Sequence, residues 1–372
     1  MIERRTLLTA TALTVLAPGL PAAAAPTPIR FPQPLRKGDL IGITSPSAGV
    51  KDSLRPRMRF AYQRLSALGY RHLEGECLWG SSLRSAPARV RAQELQEMLL
   101  DPRIAAVFPP NGGELLIDIL EHIDFPALAD AAPKWVLGYS DMSAFMLPYT
   151  LLTHHANLNG TNLWESPINP TDPHLAYWND VVRLRPGQAF RQRSASAYQP
   201  HDSDWDKRPH TTRFDRTAAV RWQCLGHEDD PDFTIRAEGR LIGGTLDVIG
   251  PLCGSRYGDV RAFGASVAPA KLLVYLDSCD YTTAQYCRAL HQLRMSGWFD
   301  HASAVLIGRT GAASIEHFSQ RDALRDALDG LAVPVLYDMD IGHLPPQLLL
   351  VNGASATLRF GPHEKSVRQA LV

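Results

Sequence analysis

The sequence predicts an α/β protein. It should have an N-terminal, doubly wound, mostly parallel sheet and a smaller C-terminal α/β domain, with a candidate active site in the cleft between them. In the first half, short apolar runs alternate with segments of helical spacing, as in a parallel sheet. Two of these runs end in Gly112-Gly113 and Ser140, and functional groups gather at the carboxyl ends of such strands. A second apolar region begins near Arg236, after a polar stretch.

Residues 35–165 are predicted to form the N-terminal domain. Helix 57–68 has apolar residues at helical spacing and stops at Gly69, a residue typical of helix ends. The full set of expected elements is strands over 40–46, 104–108 and 134–137, and helices over 57–68, 90–100, 115–123 and after Ser140.

Residues 166–235 are predicted to be a linker or a surface insertion, because 191–216 is polar and has few apolar residues. Residues 236–372 should form the C-terminal domain, with strands over 272–276 and 304–307 and a helix over 283–293. A further strand over 333–336 is possible, though Pro334 would confine it to an edge or a strand start.

Residues 1–25 are typical of a secretory signal peptide. A charged start with the pair Arg4-Arg5 precedes an apolar stretch and a small-residue exit ending at Ala25, which predicts export by the twin-arginine route to the periplasm or the cell exterior. The apolar stretch is broken by Pro18 and is short for a membrane span of about 20 residues. No other segment is long and apolar enough, so no membrane span is expected after signal removal.

Charge and cysteine content narrow the functional class. The 372 residues include 38 basic and 38 acidic side chains, a balance that argues against a nucleic-acid-binding surface. The five cysteines form no CxxC pair and make a poor disulfide framework, so they are expected to be mainly buried and free. His227 stands beside acidic residues but lacks a metal-ligand spacing, and we expect no metal and no cofactor.

Ser140 is the first candidate for chemistry. It lies between an apolar run and a helical pattern, where a tight turn would hold its hydroxyl outside the sheet in the manner of a nucleophile. The alternative is that Ser140 only caps the following helix.

A serine nucleophile needs a base and an acid. His343 lies in a loop stiffened by Pro345 and Pro346, although it could be an ordinary surface histidine. Asp277 ends a predicted strand and could orient the imidazole, or could only cap a turn; Asp280 is the fallback acid.

The order of the motifs resembles the LD-carboxypeptidase family of serine peptidases, which includes the microcin C immunity peptidases. The motifs are Gly112-Gly113-Glu114, Gly138-Tyr139-Ser140-Asp141, Leu241-Ile242-Gly243-Gly244, Gly254-Ser255-Arg256-Tyr257, Ile307-Gly308-Arg309 and Gly342-His343. The resemblance implies a Ser-Glu-His triad, in which Ser140 and His343 match and the glutamate falls on Asp277. It also implies an oxyanion hole made by the backbone N–H groups of Gly113 and Asp141. Because Asp is one methylene shorter than Glu, its backbone would have to approach His343 more closely.

The resemblance implies an exported serine hydrolase that removes a C-terminal D-amino acid from murein peptides through an acyl-enzyme. A second possibility is an immunity-type peptidase acting on peptidyl- or aminoacyl-nucleotides, since Glu114-Leu115 follows Gly112-Gly113 where the murein branch is expected to have Tyr-Gly. A third is a non-catalytic exported protein that binds a small peptide or sugar. Arg256 and Arg309 are candidates for the substrate carboxylate, and a homodimer is possible because family members often form one.

Overall fold

The structure is a computed structural model that describes residues 25–169, 172–311 and 314–372. The predicted signal peptide therefore lies outside the described residues, apart from Ala25. Within the described part of the chain, no helix combines the length and apolar character needed to cross a membrane.

The first half folds into a six-stranded sheet with helices packed on it. Its strands are β1 Leu40–Ile43, β2 Arg71–Glu74, β3 Ile104–Val107, β4 Trp135–Gly138, β5 Asn157–Asn159 and, from late in the chain, β14 Leu350–Asn352. Its helices are α1 Arg55–Leu68, α2 Ala88–Leu100, α3 Phe125–Asp130 and α4 Ser143–Thr153. Short 3₁₀ turns cover Asp52–Leu54, Leu116–His122, Ser140–Met142 and Leu163–Glu165. The predicted helix 115–123 is thus a 3₁₀ segment.

The strand order β2-β1-β3-β4-β5-β14 confirms the doubly wound sheet. The first five strands run parallel and β14 is antiparallel to β5. The chain leaves β1 for β2 on one side and returns to β3 on the other, and binding sites form outside the carboxyl ends of strands at such a switch point.

The second half forms an eight-stranded mixed sheet. Its order is β6-β16-β15-β10-β11-β12-β13-β9, and its strands are β6 Ala189–Arg193, β9 Gln223–Cys224, β10 Ile235–Thr245, β11 Leu272–Asp277, β12 Ala302–Gly308, β13 Val335–Met339, β15 Ser355–Phe360 and β16 Lys365–Ala370. A separate pair joins β7 Ala197–Tyr198 to β8 Ala218–Ala219. The helices are α5 Trp178–Val181, α6 Leu246–Ile249, α7 Val260–Ser266, α8 Thr283–Met295 and α9 Gln320–Leu328, with a 3₁₀ turn at Gly250–Leu252.

The segment 166–235 does more than connect the two halves. It supplies β6 and β9, the two edge strands of the second sheet. Its polar part is held down by Arg57 of α1, a fully buried side chain whose guanidinium donates to the carbonyls of Trp164, Pro209 and Thr211. Because the carbonyls of Pro209 and Thr211 accept hydrogen bonds from this buried cation, the polar stretch is fixed against the first half of the protein.

One hydrophobic core runs through both halves of the molecule. It contains side chains of the first sheet, such as Val107 and Leu137, together with Val274 and Ile307 of the second. A smaller cluster around Leu241, Tyr275, Leu306 and Leu336 covers another part of the second sheet. All five cysteines are free; Cys77, Cys224 and Cys287 are buried and the other two are partly buried.

Candidate active site

Ser140 occupies a strained turn between β4 and α4. Its φ is 63°, in the left-handed region that costs a non-glycine residue about 1–3 kcal/mol. Neither the 3₁₀ turn at Ser140–Met142 nor α4 has a side-chain cap. The geometry is therefore that of a serine held out at a strand-to-helix turn, rather than that of a helix-capping serine.

The Gly112-Gly113 loop packs directly against this turn. A Cβ on Gly112 would lie 2.9 Å from both Ser140 Cβ and Asp141 N, and a Cβ on Gly113 would lie 2.3 Å from Ser47 Oγ. Gly113 also has φ 152°, which side chains rarely adopt. The two backbone segments predicted to form the oxyanion hole thus meet beside Ser140, and any side chain would push them apart.

The side chain of Asp141 fixes three loops at once. It is buried, and its Oδ2 accepts hydrogen bonds from the Ser47 hydroxyl and from Leu116 N, the latter at 2.8 Å. Ser47 follows β1, Leu116 follows the Gly112-Gly113 loop, and Asp141 follows Ser140. Burial raises the pKa of Asp141, although these two hydrogen bonds and the charge of Arg91 oppose the rise.

His343 and Asp277 form a close pair. His343 Nδ1 lies 2.7 Å from Asp277 Oδ2, and the Asp277 side chain is only 1% exposed. The other ring nitrogen, Nε2, is buried and has no hydrogen-bond partner among the residues described. Asp280, the fallback acid, is exposed, and its backbone N–H instead donates to Asp247 Oδ1 at 3.0 Å.

Two glycines make room for the short acid. A Cβ on Gly342 would lie 2.5 Å from Asp277 Cβ and 2.6 Å from its Oδ2, and a Cβ on Gly308 would lie 3.1 Å from Asp277 Cβ. The backbone on either side of Asp277 therefore approaches closely, as the replacement of Glu by Asp requires. The carboxylate reaches the imidazole without the extra methylene.

Thr245 links this pair to the helix that follows Ser140. Its hydroxyl donates to Asp277 Oδ1 at 3.0 Å, and its backbone N–H donates to Ser143 Oγ at 3.1 Å. A Cβ on the neighbouring Gly244 would lie 2.7 Å from Ser143 Cβ, so the end of β10 packs tightly on the first turn of α4. Ser143 comes from the first half and Thr245 from the second, which gives the two halves a fixed relation at the site.

Tyr139 packs on His343 from the side of β4. The two ring centroids are 5.1 Å apart, and the Tyr139 hydroxyl donates to Glu165 Oε1 at 2.7 Å in the protein interior. Burial raises the pKa of both Tyr139 and Glu165. This contact places His343 next to the residue that precedes Ser140.

The charge state of His343 reflects two opposing effects. Burial disfavours its protonated form, but the hydrogen bond and charge of Asp277, with the charges of Glu165 and Asp247, outweigh burial. The net result is a raised pKa for His343.

The two arginines proposed from the sequence for a substrate carboxylate lie in different settings. Arg309 is buried, forms a 2.7 Å ion pair with Asp340, and donates to the carbonyls of Leu344 and Pro346. It therefore braces the loop that carries His343. Arg256 is exposed and donates to the Tyr257 hydroxyl at 2.8 Å.

Sequence reasoning missed four contributors: Ser143, Thr245, Tyr139 and Glu165. Thr245 directly follows Gly243-Gly244, which belongs to one of the motifs of the family resemblance. Its position next to that motif could have identified it as a site residue. Glu165 offered none, because its contact with Tyr139 and its charge near His343 both depend on the tertiary fold.

Two known domain families match this chain. The model of the LD-carboxypeptidase N-terminal domain matches residues 41–160, and that of the LD-carboxypeptidase C-terminal domain matches residues 238–358. The Escherichia coli "Microcin C7 self-immunity protein MccF" is 24% identical over 341 residues, which cover 90% of this chain and 95% of that protein. A Bacillus subtilis protein named "Probable murein peptide carboxypeptidase" is 24% identical over 332 residues, covering 88% and 91%.

Solved structures share the fold. Wild-type MccF without ligand superposes with a TM-score of 0.74 at 21% identity, covering 91% of this chain and 98% of that one. An MccF-like protein from Bacillus anthracis also gives 0.74, at 20% identity, with coverage of 91% and 99%. The two domain models lie on the two halves that meet at Ser140, Asp277 and His343, and the chain belongs to the LD-carboxypeptidase family of peptidases.

Proposed function

We propose that the protein is a serine peptidase in which Ser140 is the nucleophile, His343 the general base and Asp277 the residue that orients His343. The observation that carries the proposal is the buried Asp277–His343 pair beside the strained Ser140 turn. A hydrogen bond at Nδ1 fixes the tautomer that leaves Nε2 free to accept a proton.

In the proposed reaction, Ser140 Oγ attacks the substrate carbonyl and His343 Nε2 takes its proton. The backbone N–H groups of Gly113 and Asp141 stabilise the oxyanion, a contribution of about 3–4 kcal/mol for each donor in comparable sites. His343 then protonates the leaving amine, and the acyl-enzyme forms. Water, deprotonated by His343, releases the acyl group and restores Ser140.

For the substrate, we propose a murein peptide that loses its C-terminal D-amino acid. The name of the Bacillus subtilis relative supports this class, and the predicted signal peptide would bring the enzyme to the cell wall by the twin-arginine route. Glu165, which accepts the hydrogen bond from Tyr139, also lines an open cleft bordered by Tyr177, Phe214 and Gln347, and we propose that the rest of the peptide lies there.

An immunity-type activity on aminoacyl- or peptidyl-nucleotides is the second candidate. It is supported by the similarity to MccF over 90% of this chain, and by MccF structures solved with aspartyl sulfamoyl adenosine and with glutamyl sulfamoyl guanosine. Murein tetrapeptide and a hydrolysable peptidyl-adenylate analogue should be offered to the same preparation. Release of D-alanine alone supports the first candidate, and cleavage of the adenylate alone supports the second.

The nucleophile is tested with Ser140→Ala and the control Ser296→Ala, which alters an exposed serine at the end of α8. A fluorophosphonate probe should label the wild type and Ser296→Ala but not Ser140→Ala, and only Ser140→Ala should lose hydrolysis. Equal labelling and turnover in Ser140→Ala would refute the mechanism. Tight peptide binding with neither labelling nor turnover in the wild type would identify a binding protein instead.

A further inference from the structure

Three metal-ligating side chains meet on the packed pair of helices α8 and α9. Cys287 and His291 are four residues apart on α8, so they lie on the same face one turn from each other. Asp326 faces them from α9, with its Oδ1 3.1 Å from His291 Nε2. One ligand atom from each residue lies within 4.8 Å of the other two.

The spacing of these atoms suits a small tetrahedral ion. Zinc binds thiolate sulfur at about 2.3 Å and imidazole nitrogen or carboxylate oxygen at about 2.0–2.2 Å, so neighbouring N and O ligands end up roughly 3.3 Å apart. The His291–Asp326 contact is already close to that value. A Cys-His-Asp set is also the mixture of sulfur, nitrogen and oxygen that zinc accepts, and three protein ligands leave a fourth position for water.

The surroundings allow a cation to enter. The Cys287 thiol is buried, while the side chains of His291 and Asp326 are 39% and 56% exposed, which opens the cluster to solvent on one side. Arg294, the cation one turn further along α8, is engaged with the carbonyls of Ala327 and Asp329. A thiolate and a carboxylate together would offset the charge of a divalent ion, and binding would release the thiol proton.

We propose that Cys287, His291 and Asp326 form a zinc site that joins α8 to α9. The ion would take the place of the hydrogen bond between His291 Nε2 and Asp326 Oδ1, releasing its proton to solvent, and would bind Cys287 as a thiolate. Its role is to stabilise the packing of the two helices in the second half of the protein. The proposal does not depend on the peptidase mechanism, because none of the three side chains contacts Ser140, Asp277 or His343.

The test uses the mature protein after treatment with a chelator. Titration with Co²⁺ should give one bound ion per chain and a near-ultraviolet thiolate-to-cobalt absorption band, which Zn²⁺ should then displace. Cys287→Ser should abolish the band. Cys253→Ser, which removes a different free thiol that is partly buried, should retain it.

Asp326→Ala is the second test variant. It should fold normally, because the Asp326 side chain is largely exposed. We expect this variant to match the metal-free wild type in thermal unfolding and to bind Zn²⁺ more than about tenfold more weakly. Added Zn²⁺ should raise the Tm of the wild type and of Cys253→Ser only. The absence of a cobalt band in the wild type, or a band that survives Cys287→Ser, would overturn the proposal.

Discussion

Thr245 donates a 3.0 Å hydrogen bond to Asp277, on the carboxylate oxygen that His343 does not use. Asp277 is thereby held from both sides, by a hydroxyl at Oδ1 and by an imidazole at Oδ2. The backbone N–H of Thr245 also reaches Ser143, so this residue ties the acid to the helix behind the proposed nucleophile.

We expect Thr245→Val to lower kcat about tenfold, the usual value of one hydrogen bond to a charged group. Valine keeps the shape but leaves Asp277 Oδ1 without its donor. Thr245→Ser should restore most of the rate, because it retains the hydroxyl. Steady-state kinetics with both variants test this, and equal rates for Val and wild type would show that Thr245 only fills space.

Asp277→Glu should lower activity, although glutamate is the acid that the family resemblance implies. Gly342 and Gly308 approach Asp277 so closely that an added methylene would push on the backbone before His343. A shift of about 1 Å at such a site can cost ~100-fold in rate. A comparison of kcat/KM for the two acids is the measurement, and a faster Glu variant would mean that the site relaxes around the longer side chain.

The pH profile should report the raised pKa of His343. A general base works only when neutral, so kcat/KM should fall as the pH drops through a pKa above the ordinary histidine value of about 6.5. Asp277→Asn removes the charge that raises this pKa, so the acid limb should move to lower pH while the rate falls by up to about 10⁴-fold. An acid limb that stays in place in Asp277→Asn would assign it to another group.

Gly113→Ala should disable the proposed oxyanion hole. The new Cβ would meet Ser47 Oγ and Ala48 N, at a φ that alanine avoids. Displacing one oxyanion donor should lower kcat by about 100-fold or more, with a smaller change in KM. The control is Gly311→Ala, since no atom of the described residues lies within 4 Å of a Cβ there. Similar losses in both variants would indicate general destabilisation.

Local patterns predicted much of the fold. Helix 57–68 was read from its apolar spacing and from Gly69, which the structure shows as a left-handed helix end. Pro334 was expected to confine strand 333–336 to a sheet edge or a strand start; β13 starts at Val335 and lies inside the sheet, between β12 and β9. A strand-to-helix turn and a proline-stiffened loop made Ser140 and His343 candidates, but the predicted nucleophile and base roles came from the family resemblance and not from local pattern. Their catalytic roles stay predictions until they are measured.

Contacts between distant segments could not be predicted. The bond between Thr245 and Asp277 requires β10 and β11 to pair in register, which no local pattern specifies. The Cys287–His291–Asp326 cluster depends on how α8 packs against α9. The edge positions of β6 and β9 could not be predicted either. A polar segment can form edge strands once the apolar strands have formed the sheet, and its composition does not show this.

The path of the chain around His343 has a consequence for assembly. The segment that carries His343 leaves β13 in one sheet and enters β14 in the other. Asn352 at the end of β14 then bonds to Asn157 on β5 and accepts a hydrogen bond from Tyr275 on β11. His343, the proposed general base, therefore lies on the same crossing segment that adds the last strand to the first sheet. A fragment that ends before β14 would lack the last strand of the first sheet and the contacts that position His343. The two halves of this protein therefore have to fold as one unit.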